Sequence, residues 1–252
     1  MRQRLCVANW KMHKTNADAA AFVERFMQLV PSIPQNVQLV LCPPFTALQT
    51  VAASLSAAQG TDGRVKLGAQ NMHWQNSGAF TGEISAPMLV EIGVRYVILG
   101  HSERRQYFGE TDETVRLKTA AALDHGLTPV VAVGESLDIR RRSETRNHVC
   151  AQTLGALSGF TPDEVRKVVL AYEPIWAIGT GQNCDAAEAN AVMHEMRGCI
   201  DGLQDVPVLY GGSVKADNIA AYTAMTDIDG GLVGGASLDP DGFAALASAA
   251  AA

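Results

Sequence analysis

The chain of 252 residues has a hydrophobic fraction of 47%, a charged fraction of 18% and a formal net charge of −6 at pH 7. Its apolar content supports a large core and excludes a disordered chain, while the negative charge argues against non-specific nucleic-acid binding, which needs a basic face. Since the sequence shows neither a signal peptide nor an apolar stretch of ~20 residues, we expect a soluble, cytoplasmic protein with no membrane or nucleic-acid partner.

Eight short apolar runs recur along the chain, separated by stretches with apolar residues at helical spacing. The predicted strands, in chain order, span residues 4–10, 37–42, 65–70, 94–100, 127–134, 167–173, 206–212 and 229–235. The clearest predicted helices between them span residues 17–30, 112–126 and 185–202. Strands that are apolar throughout are buried on both faces, which is typical of a parallel sheet.

This alternation predicts an α/β protein that forms a single (β/α)8 barrel domain over residues 1–252. The main alternative is an open, doubly wound sheet, which usually carries a GxGxxG fingerprint after its first strand. The corresponding segment here is ANWKMHKTN, at residues 8–16, and it has no glycine. The closed barrel is therefore the favoured fold.

The five cysteines are an odd number and include no CxxC pair. This pattern is typical of small core residues in a reducing compartment. We therefore expect no disulfide bond.

Polar residues and glycines follow the predicted strands at their carboxyl ends. In a barrel of this kind these ends form the active face, whereas the amino ends serve stability. The candidate residues that this rule brings to one rim are Asn9, Lys11, His101, Glu103, Glu173, Ser213, Gly234 and Gly235.

Glu173 ends the sixth predicted strand and directly precedes Pro174. A carboxylate at an apolar barrel mouth loses hydration, which makes it a stronger base. The glycine-containing strip at residues 177–181 is typical of a lid that closes over a site and excludes water. The alternative for Glu173 alone is a rim carboxylate paired with an arginine.

His101 and Lys11 add an acid–base group and a positive charge to this set. Ser102 is predicted to cap a short helix, so that His101 lies near a positive helix end that favours the neutral imidazole. Lys11 supplies a positive charge for a phosphate and for a developing oxyanion. The alternatives are a structural histidine and a surface lysine.

Glycine-rich turns follow the seventh and eighth predicted strands, at residues 211–213 and 234–235. Barrels commonly bind phosphate at these two turns, because backbone N–H groups there point at the ligand. We therefore predict a phosphate site at this side of the rim.

Five segments resemble the signature segments of the triosephosphate isomerase family, in order and at fitting spacing. They are NWKM (9–12), GHSERR (100–105), AYEPIWAIGTG (171–181), YGGSV (210–214) and GLVGGASL (231–238). The resemblance implies a TIM barrel and an intramolecular aldose–ketose isomerase of glycolysis and gluconeogenesis. Its reaction interconverts dihydroxyacetone phosphate and D-glyceraldehyde 3-phosphate through an enediolate.

The resemblance also implies a role for each candidate residue. Glu173 moves the proton between C1 and C2, while His101 and Lys11 stabilise the enediolate. Asn9 orients the substrate and Glu103 has a supporting role. The phosphate contacts fall on Lys11 and on Gly179, Ser213, Gly234 and Gly235. No metal and no cofactor is implied.

The polar, glycine-containing segment at residues 70–85 is long for a loop, which usually indicates a function or a partner. The resemblance implies a homodimer in which this segment docks into the neighbouring subunit near Met12, with Thr81 reaching toward the other active site. The alternative is an ordinary surface loop.

Two other functions remain open at this point. An aldolase that forms a Schiff base would need a lysine inside the barrel at a strand end, whereas the sixth strand ends in Glu173. A non-catalytic sugar-phosphate binding protein would keep the glycine turns without needing the base or the imidazole.

Overall fold

The computed structural model describes residues 2–58, 63–178 and 183–251. Within them, eight parallel strands pair in chain order, and the last pairs with the first to close a barrel. The strands are β1 (Arg4–Asn9), β2 (Val37–Cys42), β3 (Val65–Ala69), β4 (Tyr96–Leu99), β5 (Thr128–Val133), β6 (Val169–Tyr172), β7 (Val208–Tyr210) and β8 (Gly230–Val233). Each strand lies within the run predicted for it, so the (β/α)8 barrel is confirmed.

Helices follow the strands and cover the outside of the barrel. They are α1 (Asn16–Leu29), α2 (Leu48–Ala57), α3 (Ala86–Glu91), α4 (Ser102–Tyr107), α5 (Asp112–Asp124), α6 (Leu137–Arg141), α7 (Thr145–Leu157), α8 (Pro162–Val165), α9 (Ala186–Arg197), α10 (Ile219–Thr223) and α11 (Pro240–Ala249). None of the helices in the described ranges is long and apolar enough to cross a membrane.

The three predicted helices correspond to α1, α5 and α9. Thr15 begins α1 with a capping box, in which its side chain and that of Asp18 bond each other's backbone N–H groups. The α9 helix ends at Arg197, earlier than predicted, with Gly198 as its C-cap residue. Local capping chemistry therefore sets helix ends that apolar spacing alone leaves open.

The core has two layers, because successive side chains of a strand point to opposite faces. Leu5 and Val7 of β1 point into the barrel, whereas Cys6 and Ala8 belong to the layer between strands and helices. In that outer layer Phe26 of α1 packs against Phe243 of α11, with ring centroids 5.3 Å apart. The barrel is therefore filled by side chains, and its open space lies at the strand ends.

The expectation of no disulfide bond is wrong for one pair of cysteines. Cys150 on α7 and Cys199 just beyond α9 are bonded, with Cα atoms 5.8 Å apart across a sequence separation of 49 residues. The two helices are neighbours around the barrel, and sequence spacing gives no sign of this proximity. Cys6, Cys42 and Cys184 are free and buried.

Candidate active site

A cavity of about 560 Å³ opens at the carboxyl ends of the strands. Its lining contains the predicted residues Asn9, Lys11, His101, Glu173, Ser213, Gly234 and Gly235. Glu103 is joined to this group through an ion pair with Lys11. Residues from five places in the sequence therefore meet at one site, on the face where the barrel rule places it.

Glu173 directly follows β6 and is only 2% exposed. Its Oε2 accepts a hydrogen bond from the backbone N–H of Ser102 at 2.8 Å, and its Oε1 lies 3.1 Å from Nε2 of His101. Gly211 leaves room for this side chain, since a Cβ there would lie 2.8 Å from Cγ of Glu173. The carboxylate is thus held against the imidazole and is itself almost inaccessible to solvent.

His101 follows β4, and its own side chain caps α4. Its Nδ1 accepts the backbone N–H of Glu103 at 3.2 Å. A ring nitrogen that accepts a hydrogen bond carries no proton, so the proton of the neutral ring is on Nε2, which faces Glu173. The prediction that Ser102 caps this helix is wrong, because the His101 ring folds back over the first turn and Ser102 is the first helical residue.

Lys11 has a left-handed backbone, with φ 51°, which is uncommon for a residue other than glycine. Two hydrogen bonds fix it: its N–H donates to Oδ1 of Asn9 at 3.0 Å, and its carbonyl accepts from Nε2 of Gln70 at 2.8 Å. The side chain then runs beside Gly234, where a Cβ would lie 3.3 Å from Cε of Lys11. Its ammonium pairs with Glu103 at 2.5 Å. The strained backbone thereby directs the charge toward the turn after β8.

The two glycine turns border the same cavity, as predicted. Ser213, after β7, donates its hydroxyl to the carbonyl of Ala177 at 2.7 Å, which ties this turn to the segment that follows Glu173. After β8, Ser237 closes the second turn by donating to the carbonyl of Gly234 at 2.7 Å. Both turns are therefore held in place by their own hydroxyl groups.

Comparison with known proteins agrees with this geometry. A family model described as triosephosphate isomerase matches residues 4–250. The chain belongs to the triosephosphate isomerase family. Relatives with that name are 51% identical in Symbiobacterium thermophilum, over 100% of this chain and 98% of the relative, and 52% identical in a Synechococcus species, over 98% and 94%. A Synechocystis relative with the same name is 49% identical, over 98% of both chains.

Glu135, which follows Gly134 at the carboxyl end of β5, is a buried acid to which the sequence analysis gave no role. Glu135 is fully buried after β5, and its Oε1 accepts hydrogen bonds from the Tyr172 hydroxyl at 3.1 Å and from Nε1 of Trp176 at 2.8 Å. Burial raises the pKa of this carboxyl above its usual range. A single acid directly after a fully apolar run was the signal in the sequence. Glu135 fixes the segment that leaves Glu173.

Ser102 and Gln70 make two further kinds of contact that the sequence analysis did not predict. Ser102 acts through its backbone N–H on Glu173, and Gln70 links the carbonyls of Lys11 and Cys42. Backbone groups and bridging amides have no sequence signature, so these contacts required the fold.

Three other predicted contacts stay predictions. Gly179 lies outside the described residues, as does part of the predicted lid. Met12 is 94% exposed beside the site, and Thr81 is exposed in the segment at residues 70–85. The contacts predicted for Met12 and Thr81 involve a second chain.

Proposed function

We propose that this chain is a triose-phosphate isomerase, which interconverts dihydroxyacetone phosphate and D-glyceraldehyde 3-phosphate. The observation that carries the proposal is the buried Glu173 carboxylate, 3.1 Å from the His101 imidazole, in a cavity that two glycine turns border. Membership of the triosephosphate isomerase family supports it. The reaction needs a base, a hydrogen-bond donor to the substrate oxygen and a phosphate-binding site, and the cavity contains candidate residues for each.

Glu173 acts as the base in this proposal. Its carboxylate takes a proton from C1 of dihydroxyacetone phosphate, and the electron pair of the broken C–H bond forms the C1–C2 double bond of an enediolate. The carbonyl electrons move to the oxygen on C2. Protonation at C2 by the Glu173 carboxylic acid then gives glyceraldehyde 3-phosphate, with the oxygen proton moving from one hydroxyl position to the other.

His101 and Lys11 stabilise the charge that develops on oxygen. The Nε2 proton of His101 faces the Glu173 carboxylate and is placed to donate to a substrate oxygen bound between the two. A neutral imidazole can donate this proton and take one back, which the move between two hydroxyl positions requires. The Lys11 ammonium adds a positive charge, and Glu103 holds it in position.

The phosphate group occupies the side of the cavity formed by the turns after β7 and β8. Ser213, Gly234 and Gly235 line that side, and backbone N–H groups at such turns bind anions. Asn9, buried at the end of β1, orients the substrate, and we assign Gly179 a further phosphate contact on the strength of the resemblance. No step of the proposal needs a metal ion or a cofactor.

A coupled assay with glyceraldehyde 3-phosphate and a chelator tests the proposal. We expect rapid turnover by the unaltered protein and a loss of at least ~10²-fold in kcat for Glu173→Gln, because the variant keeps the shape and loses the base. Glu24→Gln, the same change at an exposed position of α1, serves as the control.

Near-normal turnover by Glu173→Gln would contradict the assignment of the base. An unaltered protein that is inactive but binds a triose phosphate would contradict the proposed activity and favour a binding protein.

We also propose that two chains form a homodimer, with Met12 and the segment at residues 70–85 at the interface. Phe80 in this segment, Met88 of α3 and Phe108 after α4 are large apolar side chains that remain exposed in one chain. Phe80 lines one cavity with Phe108 and another with Met88, so the three lie near one another.

A cytoplasmic location stays a prediction from the sequence.

A further inference from the structure

Tyr222 of α10 joins two parts of the barrel rim and has no role in the chemistry described above. Its side chain is almost fully buried, and its ring stacks on that of Tyr210 with centroids 4.1 Å apart and an interplanar angle of 14°. Its hydroxyl donates a hydrogen bond to the carbonyl of Cys184 at 2.6 Å. One side chain therefore links the end of β7 to the start of α9.

Tyr210 controls the path of the turn after β7. It is the last residue of that strand and directly precedes Gly211, Gly212 and Ser213. A Cβ on Gly212 would lie 2.2 Å from the Tyr210 hydroxyl oxygen and 2.4 Å from Cζ. The turn thus bends back over the Tyr210 ring, so that a shift of the ring would displace the turn.

Cys184 gives the hydroxyl of Tyr222 a firm anchor. It is fully buried and directly precedes Asp185, whose side chain caps α9 through the N–H groups of Ala187 and Glu188. Burial raises the pKa of the Tyr222 phenol, so the hydroxyl stays protonated and able to donate at the pH of any ordinary assay. The position of the ring is therefore tied to that of a capped helix.

We infer that Tyr222 is a positioning residue for phosphate recognition, which holds the turn after β7 in its binding geometry through Tyr210. The inference rests on the proposed function, since that turn is assigned to the substrate phosphate. On this inference, binding of the phosphate end of the substrate depends on Tyr222. Removal of the proton from carbon depends on Glu173 and His101.

The test is Tyr222→Phe, which keeps the stacked ring and removes only the hydroxyl. The matched control is Tyr96→Phe, the same change at the start of β4 at the other end of the barrel. The net contribution of one intramolecular hydrogen bond corresponds to a change of roughly 3- to 10-fold in a binding equilibrium that depends on that bond. We expect KM for glyceraldehyde 3-phosphate and Kd for the unreactive analogue glycerol 3-phosphate to rise by that factor, with kcat within about twofold.

A substrate without phosphate tells a positioning role from a general structural one. Deuterium exchange into phosphate-free D-glyceraldehyde in D₂O should proceed equally in Tyr222→Phe and in the unaltered protein, because it does not use the turn. An equal loss on both substrates, or an unchanged KM and Kd, would overturn the inference.

Failure of the proposed function can be told apart from failure of this inference. Absence of isomerase activity in the unaltered protein contradicts the proposed function but says nothing against the role of Tyr222. The ratio of Kd values for glycerol 3-phosphate between Tyr222→Phe and the unaltered protein then still decides the role of Tyr222: a weaker affinity supports it, and equal affinities contradict it.

Discussion

Glu173 and His101 illustrate how much of a site can depend on backbone groups. The carboxylate oxygen of Glu173 is held by the N–H of Ser102, and the ring of His101 by the N–H of Glu103. Both donors belong to the first turn of α4, so that one short helix orients the proposed base and the proposed oxygen donor together. The strand end supplies the residues, and this helix supplies their orientation.

Glu135 makes stability depend on pH in a defined direction. Burial raises the pKa of its carboxyl in the folded protein, so Glu135 favours folding below its unfolded pKa and loses that contribution as pH rises through the folded pKa. Glu135→Gln abolishes this dependence and keeps an oxygen that can accept from Tyr172 and Trp176. We expect the free energy of unfolding of the variant to increase relative to that of the unaltered protein as pH rises above about 4, the ordinary pKa of a glutamate in an unfolded chain.

Urea unfolding at several pH values measures this difference. A difference that stays constant with pH, or that moves against the variant as pH rises, would show that the folded protein does not raise the pKa of Glu135.

At the scale of single residues, the sequence predicts which side chains gather but only part of how they are held. Glu173, His101 and Lys11 could be found because polar residues at strand ends stand out against apolar runs. The left-handed backbone of Lys11 and the cap made by His101 could not, because both depend on the local path of the chain.

Secondary-structure elements differ in how strongly the sequence defines them. The strands were predictable because continuous apolar runs mark burial on both faces, although every strand except β2 is shorter than its run. The short helices α6 and α8 were not predicted, since four or five residues show no helical periodicity. Their starts depend on capping by Ser136 and Thr161.

The bond between Cys150 and Cys199 links α7 to the end of α9 and gives a test at this scale. Titration of thiols in denaturant without a reductant should detect only Cys6, Cys42 and Cys184, because the other two are bonded. After reduction, all five cysteines should react. Five reactive thiols in protein that was purified and denatured without a reductant would contradict the bond.

At the scale of the whole molecule, the alternation of strands and helices was enough to predict a closed barrel. The barrel rule then placed one cavity and most of the candidate residues on the same face. What the sequence could not define is which surfaces meet a second chain, since exposed apolar residues also occur singly on monomers. Leu154 on α7, 46% exposed, is an exposed apolar residue to which we assign no interface.

The proposed homodimer predicts a mass in light scattering of two chains at micromolar concentration. Met12→Asp should shift the mass toward that of one chain, because a carboxylate buried at the interface loses its hydration. Leu154→Asp, the same kind of change at an exposed position of α7, should leave the mass unchanged. A single-chain mass for the unaltered protein would contradict the dimer.

The central claim is that hydrogen moves between C1 and C2 as a proton carried by Glu173. The most direct test is proton NMR of the product formed from dihydroxyacetone phosphate in D₂O. A carboxylic acid exchanges its proton with solvent, so we predict glyceraldehyde 3-phosphate that carries deuterium at C2, formed by the unaltered protein and not by Glu173→Gln. A product formed at full rate without any deuterium at C2 would mean that hydrogen migrates directly between the carbons, and would contradict the account.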